Sequence, residues 1–174
     1  MTPIQVGQPA PDFQLQALVG NEIKTVKLSD YRGKWVALIF YPLDFTAVCP
    51  TEITGFNQRY DEFHKLNCEV LAASVDSVYS HEAWTKHGLG PIRFPLLSDI
   101  TKETSRTYGV LIDSKGFALR GLFLIDPEGK LRYHVVHETG IGRSVEETLR
   151  VLQALQTGER CPIDWKPGEK TLGK

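Results

Sequence analysis

The first strong signal along the chain is a continuous apolar run at residues 35–41, WVALIFY. A run this short and uniformly apolar predicts a strand buried on both faces. Ser29 and Gly33 mark the turn ahead of it. After Pro50 the period changes. Ile53, Phe56, Tyr60, Phe63 and Leu66 recur every three or four residues, which predicts an amphipathic helix to about Leu66. Residues 69–75, EVLAASV, predict the next buried strand. The result is a strand–helix–strand unit with a right-handed parallel crossover.

Residues 80–87 read as a helix opened by Ser80 and broken by HGLGP. Residues 99–108 read as a short helix capped by Asp99. Residues 119–125 and 130–137 are apolar-rich runs joined by Asp126-Pro127-Glu128-Gly129. That tetrapeptide is turn chemistry and predicts an antiparallel hairpin. Ser144 and Glu147 make a capping box. Behind it Val145, Leu149, Leu152 and Leu155 share one helix face, and Gly158 ends that helix. A parallel pair and an antiparallel pair in one sheet give an α/β fold: a thioredoxin-like mixed β-sheet flanked by helices. From Thr157 the chain turns polar and rich in Pro and Gly. Residues 1–156 are therefore read as one domain and 157–174 as an extended, mobile C-terminal tail.

Composition adds mainly exclusions. The chain has 174 residues, 41% hydrophobic and 24% charged, an ordinary globular mix for one domain. Twenty Lys and Arg against 21 Asp and Glu leave a formal charge of −1, so neither nucleic acid nor an anionic membrane is an expected partner. No apolar run is long enough to span a bilayer, and the amino terminus lacks a leader pattern. A cytoplasmic location is the expectation. The five histidines have no metal-ligand spacing, and neither G-x-G-x-x-G nor a P-loop occurs, so no metal or cofactor is expected.

The three cysteines are Cys49, Cys68 and Cys161, with no C-x-x-C among them. They are too few for a disulfide scaffold, and their spacing suits neither a zinc knuckle nor a dithiol motif. Cys49 falls where the strand gives way to the helix, beside Pro50, which suits a first helical turn. Free N–H groups there favour an anion. That matters because a thiol of pKa ~8.5 is about 3% ionised at pH 7, and one of pKa ~6 about 90%. Thr46 offers a hydroxyl to the sulfur or to a bound oxygen, and Pro42 a rigid wall. The plainer alternative for Cys49 is an apolar filler. The helix start, Thr46 and a second thiol in the tail weigh towards a reactive thiol. Cys68, beside an apolar strand, reads as an inert core thiol. Arg120 opens the apolar run RGLFLID, so it either meets an anion or escapes to water at a strand edge. Glu52 reads plainly as a first-turn acid, and Arg143 as a surface residue.

Pro42, Thr46 and Cys49 spell P-x-x-x-T-x-x-C, and FYPLDFTAVCPTE closely resembles the typical two-cysteine peroxiredoxins. GQPAPDF, RGLFLID, GRSVEETLR and CPIDWKPG resemble the same family in the same order, so the likeness covers nearly the whole chain. The resemblance implies that Cys49 is the peroxidatic cysteine, oxidised to a sulfenic acid. It implies that Pro42 and Thr46 shape and hydrogen-bond the peroxide site. Arg120 would stabilise the thiolate and orient the peroxide, with Glu52 and Arg143 as an ion-pair network around it. Cys161 would resolve the sulfenate to a disulfide, usually between two subunits. The implied substrates are hydrogen peroxide and small organic hydroperoxides. The implied partners are a thioredoxin-like or flavoprotein reductase, and homodimers that assemble into a decameric ring. A peroxide sensor or an oligomeric chaperone would use the same cysteines. A non-catalytic thioredoxin-like binding module is a third reading.

Two positions depart from the family pattern. Ala47 stands where an aromatic residue is common, which bears on pocket shape and assembly. His87-Gly88-Leu89-Gly90 replaces the Gly-Gly-Leu-Gly of overoxidation-sensitive members, and no Tyr-Phe precedes Lys174. The expectation is an enzyme in which Cys161 captures the sulfenate before a second peroxide does. Trp165 reads as a packing anchor for the Cys161 segment or as an exposed aromatic of the tail.

Overall fold

The computed structural model describes residues 3–174; Met1 and Thr2, the start of the stretch read for a leader, lie outside them. Contacts divide the chain into two units, Met1–Arg143 and Ser144–Lys174. The first opens with the antiparallel hairpin β1 (Gln14–Val19) and β2 (Glu22–Lys27). β3 (Trp35–Phe40) leads to α1 (Cys49–Gln58) and α2 (Tyr60–Lys65), and β4 (Cys68–Ser74) returns parallel to β3. α3 (Val78–Trp84) runs into an irregular turn, Thr85–Leu89. β5 (Leu96–Ser98) pairs with β4 in parallel and with β1 antiparallel. α4 (Glu103–Thr107) precedes a short ribbon of β6 (Leu111–Ile112) and β7 (Phe117–Ala118). β8 (Arg120–Ile125) and β9 (Leu131–His137) form the expected hairpin, with β8 antiparallel to β3. The seven-stranded mixed sheet has the order β2-β1-β5-β4-β3-β8-β9.

The central strands carry the core. Leu38 of β3 sits between Leu71 of β4 and Phe123 of β8, all fully buried. The rings of Phe40, Tyr108 and Phe123 meet edge-on or tilted at 5.0–5.8 Å, a favourable aromatic geometry. The β8–β9 turn closes on Asp126, whose Oδ1 accepts from the N–H groups of Glu128 (3.1 Å) and Lys130 (2.9 Å). Gly129 in this turn has φ 82°, and the Arg32 guanidinium occupies the space a Cβ would need.

Several expectations change. The sheet gains β1, β2 and β5, which the apolar pattern did not reveal. The helix expected to run to Leu66 breaks at Arg59 (φ −98°, ψ 10°), with Phe56 and Phe63 in ring contact across the break at 5.7 Å. α3 is capped by Ser77, whose Oγ accepts from Ser80 N–H, and not by Ser80. α4 begins at Glu103, yet Asp99 still serves its start by accepting from Thr104 and Ser105 N–H at 3.1 and 2.7 Å.

The second unit is built on α5 (Val145–Gln156), where Ser144 Oγ accepts from Glu147 N–H at 3.0 Å. The Glu147 carboxylate is engaged by Arg150, whose Nη1 also donates to Trp165 O at 2.9 Å. Beyond α5 the chain has turns but no helix or strand. Arg160 N–H donates to Gly173 O and Leu172 N–H to Arg160 O, which folds the segment back on itself. Trp165 is buried, with its indole N–H on Glu169 O at 3.0 Å. No helix among the described residues is long and apolar enough to cross a membrane.

Candidate active site

The β3–α1 connection delivers the sulfur. β3 ends at Phe40, Tyr41 and Pro42 stay buried, and α1 begins at Cys49 with Pro50 in its first turn. Val48 O takes the N–H groups of Thr51 and Glu52 at 3.1 and 3.3 Å, so these first-turn donors are already engaged. The donor that reaches Cys49 Sγ is Arg120 Nη1, at 3.4 Å. Cys49 itself has no exposed surface.

Arg120 opens β8 and is 2% exposed, so its charge needs partners within the protein. Its Nη1 also donates to Glu52 Oε1 at 2.7 Å, and its Nε to Thr139 O at 2.8 Å. Glu52, one turn beyond Cys49 on α1, is 4% exposed. Arg143 donates to it three times: backbone N and Nε to Oε2 at 2.7 Å each, and Nη2 to Oε1 at 2.8 Å. Arg143 Nη1 reaches Gly121 O. Burial alone would raise the Glu52 carboxyl. The hydrogen bonds and charge of Arg143, then the charge of Arg120, outweigh it and hold the group below its ordinary value of 4.5. The strand-edge and surface readings of Arg120 and Arg143 are thus replaced by one buried cluster, in which Glu52, still an acid of the first turn of α1, holds both guanidiniums.

A small cavity of about 240 Å³ adjoins this cluster, lined by Pro42, Leu43, Thr46, Ala47, Val48, Phe117, Arg120 and Thr139. Thr46 is exposed at its mouth, and its hydroxyl donates to Leu43 O at 2.8 Å. That hydroxyl proton is therefore engaged by a backbone carbonyl, and the oxygen keeps its capacity to accept. A larger cavity, about 490 Å³, lies away from this chemistry beside β1 and α4. Cys68 is buried in β4, and burial, with the charge of Glu69, pushes its thiol far above the usual range, in keeping with an inert thiol. In the second unit Cys161 Sγ lies 3.6 Å from Thr157 Oγ1 and 3.8 Å from Ala154 O.

A model of the AhpC/TSA family matches residues 6–134. A putative peroxiredoxin of Clostridium pasteurianum is 55% identical over 96% of this chain and 98% of its own length. The chloroplastic 2-Cys peroxiredoxin of Spinacia oleracea is 57% identical over 96% of this chain and 67% of its own. The crystal structure of the Plasmodium vivax 2-Cys peroxiredoxin superposes with a TM-score of 0.94 at 44% identity, covering 97% of this chain and 93% of that one. The chain belongs to the AhpC/TSA family. This peroxiredoxin is a thiol-dependent peroxidase that reduces hydroperoxides, on a thioredoxin-like sheet flanked by helices.

Sequence reasoning missed several groups around the peroxiredoxin site. The carbonyls of Thr139 and Gly121 orient the two arginines, and backbone acceptors leave no mark in a sequence. Phe117 enters the cavity from a two-residue strand without periodic signal. Asp44 anchors the loop ahead of Cys49. Its carboxylate accepts from Tyr41 Oη and Ser80 Oγ at 2.8 Å and lies 2.7 Å from His81 Nδ1. His81 Nε2 lies 3.0 Å from Leu97 O. Both ring nitrogens of a fully buried histidine therefore face oxygen.

Proposed function

We propose that Cys49 is the peroxidatic nucleophile and that Arg120, held by Glu52 and Arg143, keeps its sulfur anionic. The supporting observation is the contact of 3.4 Å from Arg120 Nη1 to Cys49 Sγ inside a buried cluster of two guanidiniums and one carboxylate. That cluster carries one uncompensated positive charge, and a thiolate balances it. The Cys49 thiolate attacks the terminal oxygen of ROOH, a sulfur–oxygen bond forms and the O–O bond breaks. With one proton taken up, the products are Cys49–SOH and ROH; sulfur loses two electrons and the peroxide gains them. Arg120 stabilises the oxyanion leaving group, while Thr46 accepts from the peroxide O–H and Pro42 walls the site. Because Cys49 is fully buried, its floor side chains must part slightly to admit the peroxide.

Cys161–SH then condenses with Cys49–SOH, forming a disulfide and releasing water. A thioredoxin-like protein or a flavoprotein reductase returns both thiols. The disulfide joins two subunits of a homodimer that builds a decameric ring. Substrates are hydrogen peroxide and small organic hydroperoxides, and the compartment is the cytoplasm; the bacterial relatives support that location, while relatives named chloroplastic occupy another. Non-reducing gel electrophoresis after one equivalent of peroxide tests this scheme. A disulfide-linked dimer band is expected in the wild type and lost in Cys161→Ser. No band in the wild type would overturn the intersubunit pairing.

A further inference from the structure

We infer that His137 is a positioning residue for the peroxide chemistry: it holds the turn whose Thr139 carbonyl orients Arg120. The inference deepens the assignment of Cys49 and Arg120 to that chemistry and rests on it. The turn, residues 138–142, follows β9 and leads directly to Arg143. Within it, Thr139 O accepts from Arg120 Nε at 2.8 Å. Gly142 lies against α1, where a Cβ on it would stand 3.6 Å from Val48 Cγ1 and 3.8 Å from Glu52 Cγ. Arg143 N–H then donates to Glu52 Oε2 at 2.7 Å. The path of these few residues therefore decides how both arginines of the buried cluster meet their partners.

The tip of the turn has little packing to hold that path. Ile141 is 60% exposed, and a Cβ built on the exposed Gly140 would meet nothing within 4 Å. Hydrogen bonds close the turn instead. Ile141 N–H donates to Glu138 O at 3.2 Å, and Ile141 O lies 3.3 Å from His137 Nδ1. A carbonyl only accepts, so Nδ1 carries the proton in this contact. The sheet puts His137 in place for it. His137 pairs with Arg120 across β8 and β9, and directly paired residues share a face with Cβ atoms ~4.5–5.5 Å apart. The imidazole thus ties the turn to the same strand pair that carries Arg120. It acts through Thr139 and Arg120, without touching the sulfur.

The test is stopped-flow kcat/KM for hydrogen peroxide on the full chain in wild type, His137→Leu and His137→Asn. Leucine fills space but cannot donate, whereas the asparagine amide keeps an N–H donor near the position of Nδ1. Expected is a fall of about three- to tenfold in His137→Leu, the worth of one hydrogen bond, with most of the loss recovered in His137→Asn. A purely structural role for the side chain predicts the opposite order, because asparagine is a poor strand residue. His137→Ala also lacks the donor and replaces the Leu variant if that protein does not fold. Equal rates in wild type and the donor-less variant, or an Asn variant no faster than it, would overturn the positioning role and leave the peroxidase assignment intact. A wild type that does not consume peroxide through Cys49 would instead remove the assignment, and the role of His137 with it.

Discussion

Arg143 grips Glu52 with three donors, two from its guanidinium and one from its own backbone, although the residues are 91 positions apart. Both side chains are nearly inaccessible, and Glu52 also holds Arg120. Removing one partner of such a buried set strands the other charges without water. Glu52→Ala is expected to lose roughly 3–5 kcal/mol of stability and most peroxidase activity. Glu52→Gln, which keeps the shape and one acceptor, should lose less. Urea unfolding of the three proteins gives the comparison. A Glu52→Ala midpoint equal to wild type would mean the cluster contributes nothing to the fold.

The same carboxylate gives the fold an acid limit. Its folded-state value lies below the ordinary 4.5, with Arg143 and Arg120 as the favourable causes set against burial. Stability from this group is therefore fully present above about 4.5, the unfolded value, and drains away as pH falls through the lower folded value. Wild-type stability measured against Glu52→Gln should show a gap at neutral pH that narrows steadily below 4.5. A gap independent of pH down to acid unfolding would rule out an ionised Glu52 as its source.

The strand–helix–strand unit, the β8–β9 hairpin and α5 were legible because burial on these elements is periodic or continuous, and because Asp126 and Ser144 close their turns and caps locally. β2 left no such trace. Five of its six residues are exposed, so no alternation marks it. β5 has three residues, too few for a period. At the site, the position of Cys49 at the start of α1 was legible because Pro50 marks that start locally. The pairing of Arg120 and Arg143 with Glu52 depends on how distant segments meet, and spacing along the chain carries no trace of that. Only the resemblance to a family supplied it.

Arg120 makes contacts in three directions: Cys49 Sγ, Glu52 Oε1 and Thr139 O. A lysine keeps the charge but is a point donor without the planar fork, so it cannot hold the three together. Arg120→Lys is expected to slow oxidation of Cys49 substantially, and Arg120→Met by on the order of 10²–10³-fold, the cost of removing a preorganised donor. Stopped-flow kcat/KM with hydrogen peroxide measures both. Equal rates in Lys and wild type would show that charge alone matters and that the Thr139 and Glu52 contacts are incidental.

Gly121 couples this cluster to the core. Its carbonyl accepts from Arg143, while a Cβ built on it would sit 2.7 Å from Val110 Cγ1 and 2.8 Å from Phe123 Cε2. Both neighbours are fully buried, and Phe123 is held among the rings of Phe40, Tyr108 and His134. Neither has room to retreat, so even one methyl must displace β8 beside Arg120. Gly121→Ala is expected to lose about 1–3 kcal/mol, the usual range for an overpacked core, and to slow peroxide reduction as Arg120 and Arg143 lose register. Trimming the obstruction should reverse part of both effects, so Val110→Ala combined with Gly121→Ala is expected to be faster than Gly121→Ala alone. If the double variant is slower still, with the two losses simply adding, the methyl does not act through Val110, and the strand tolerates the side chain by another route.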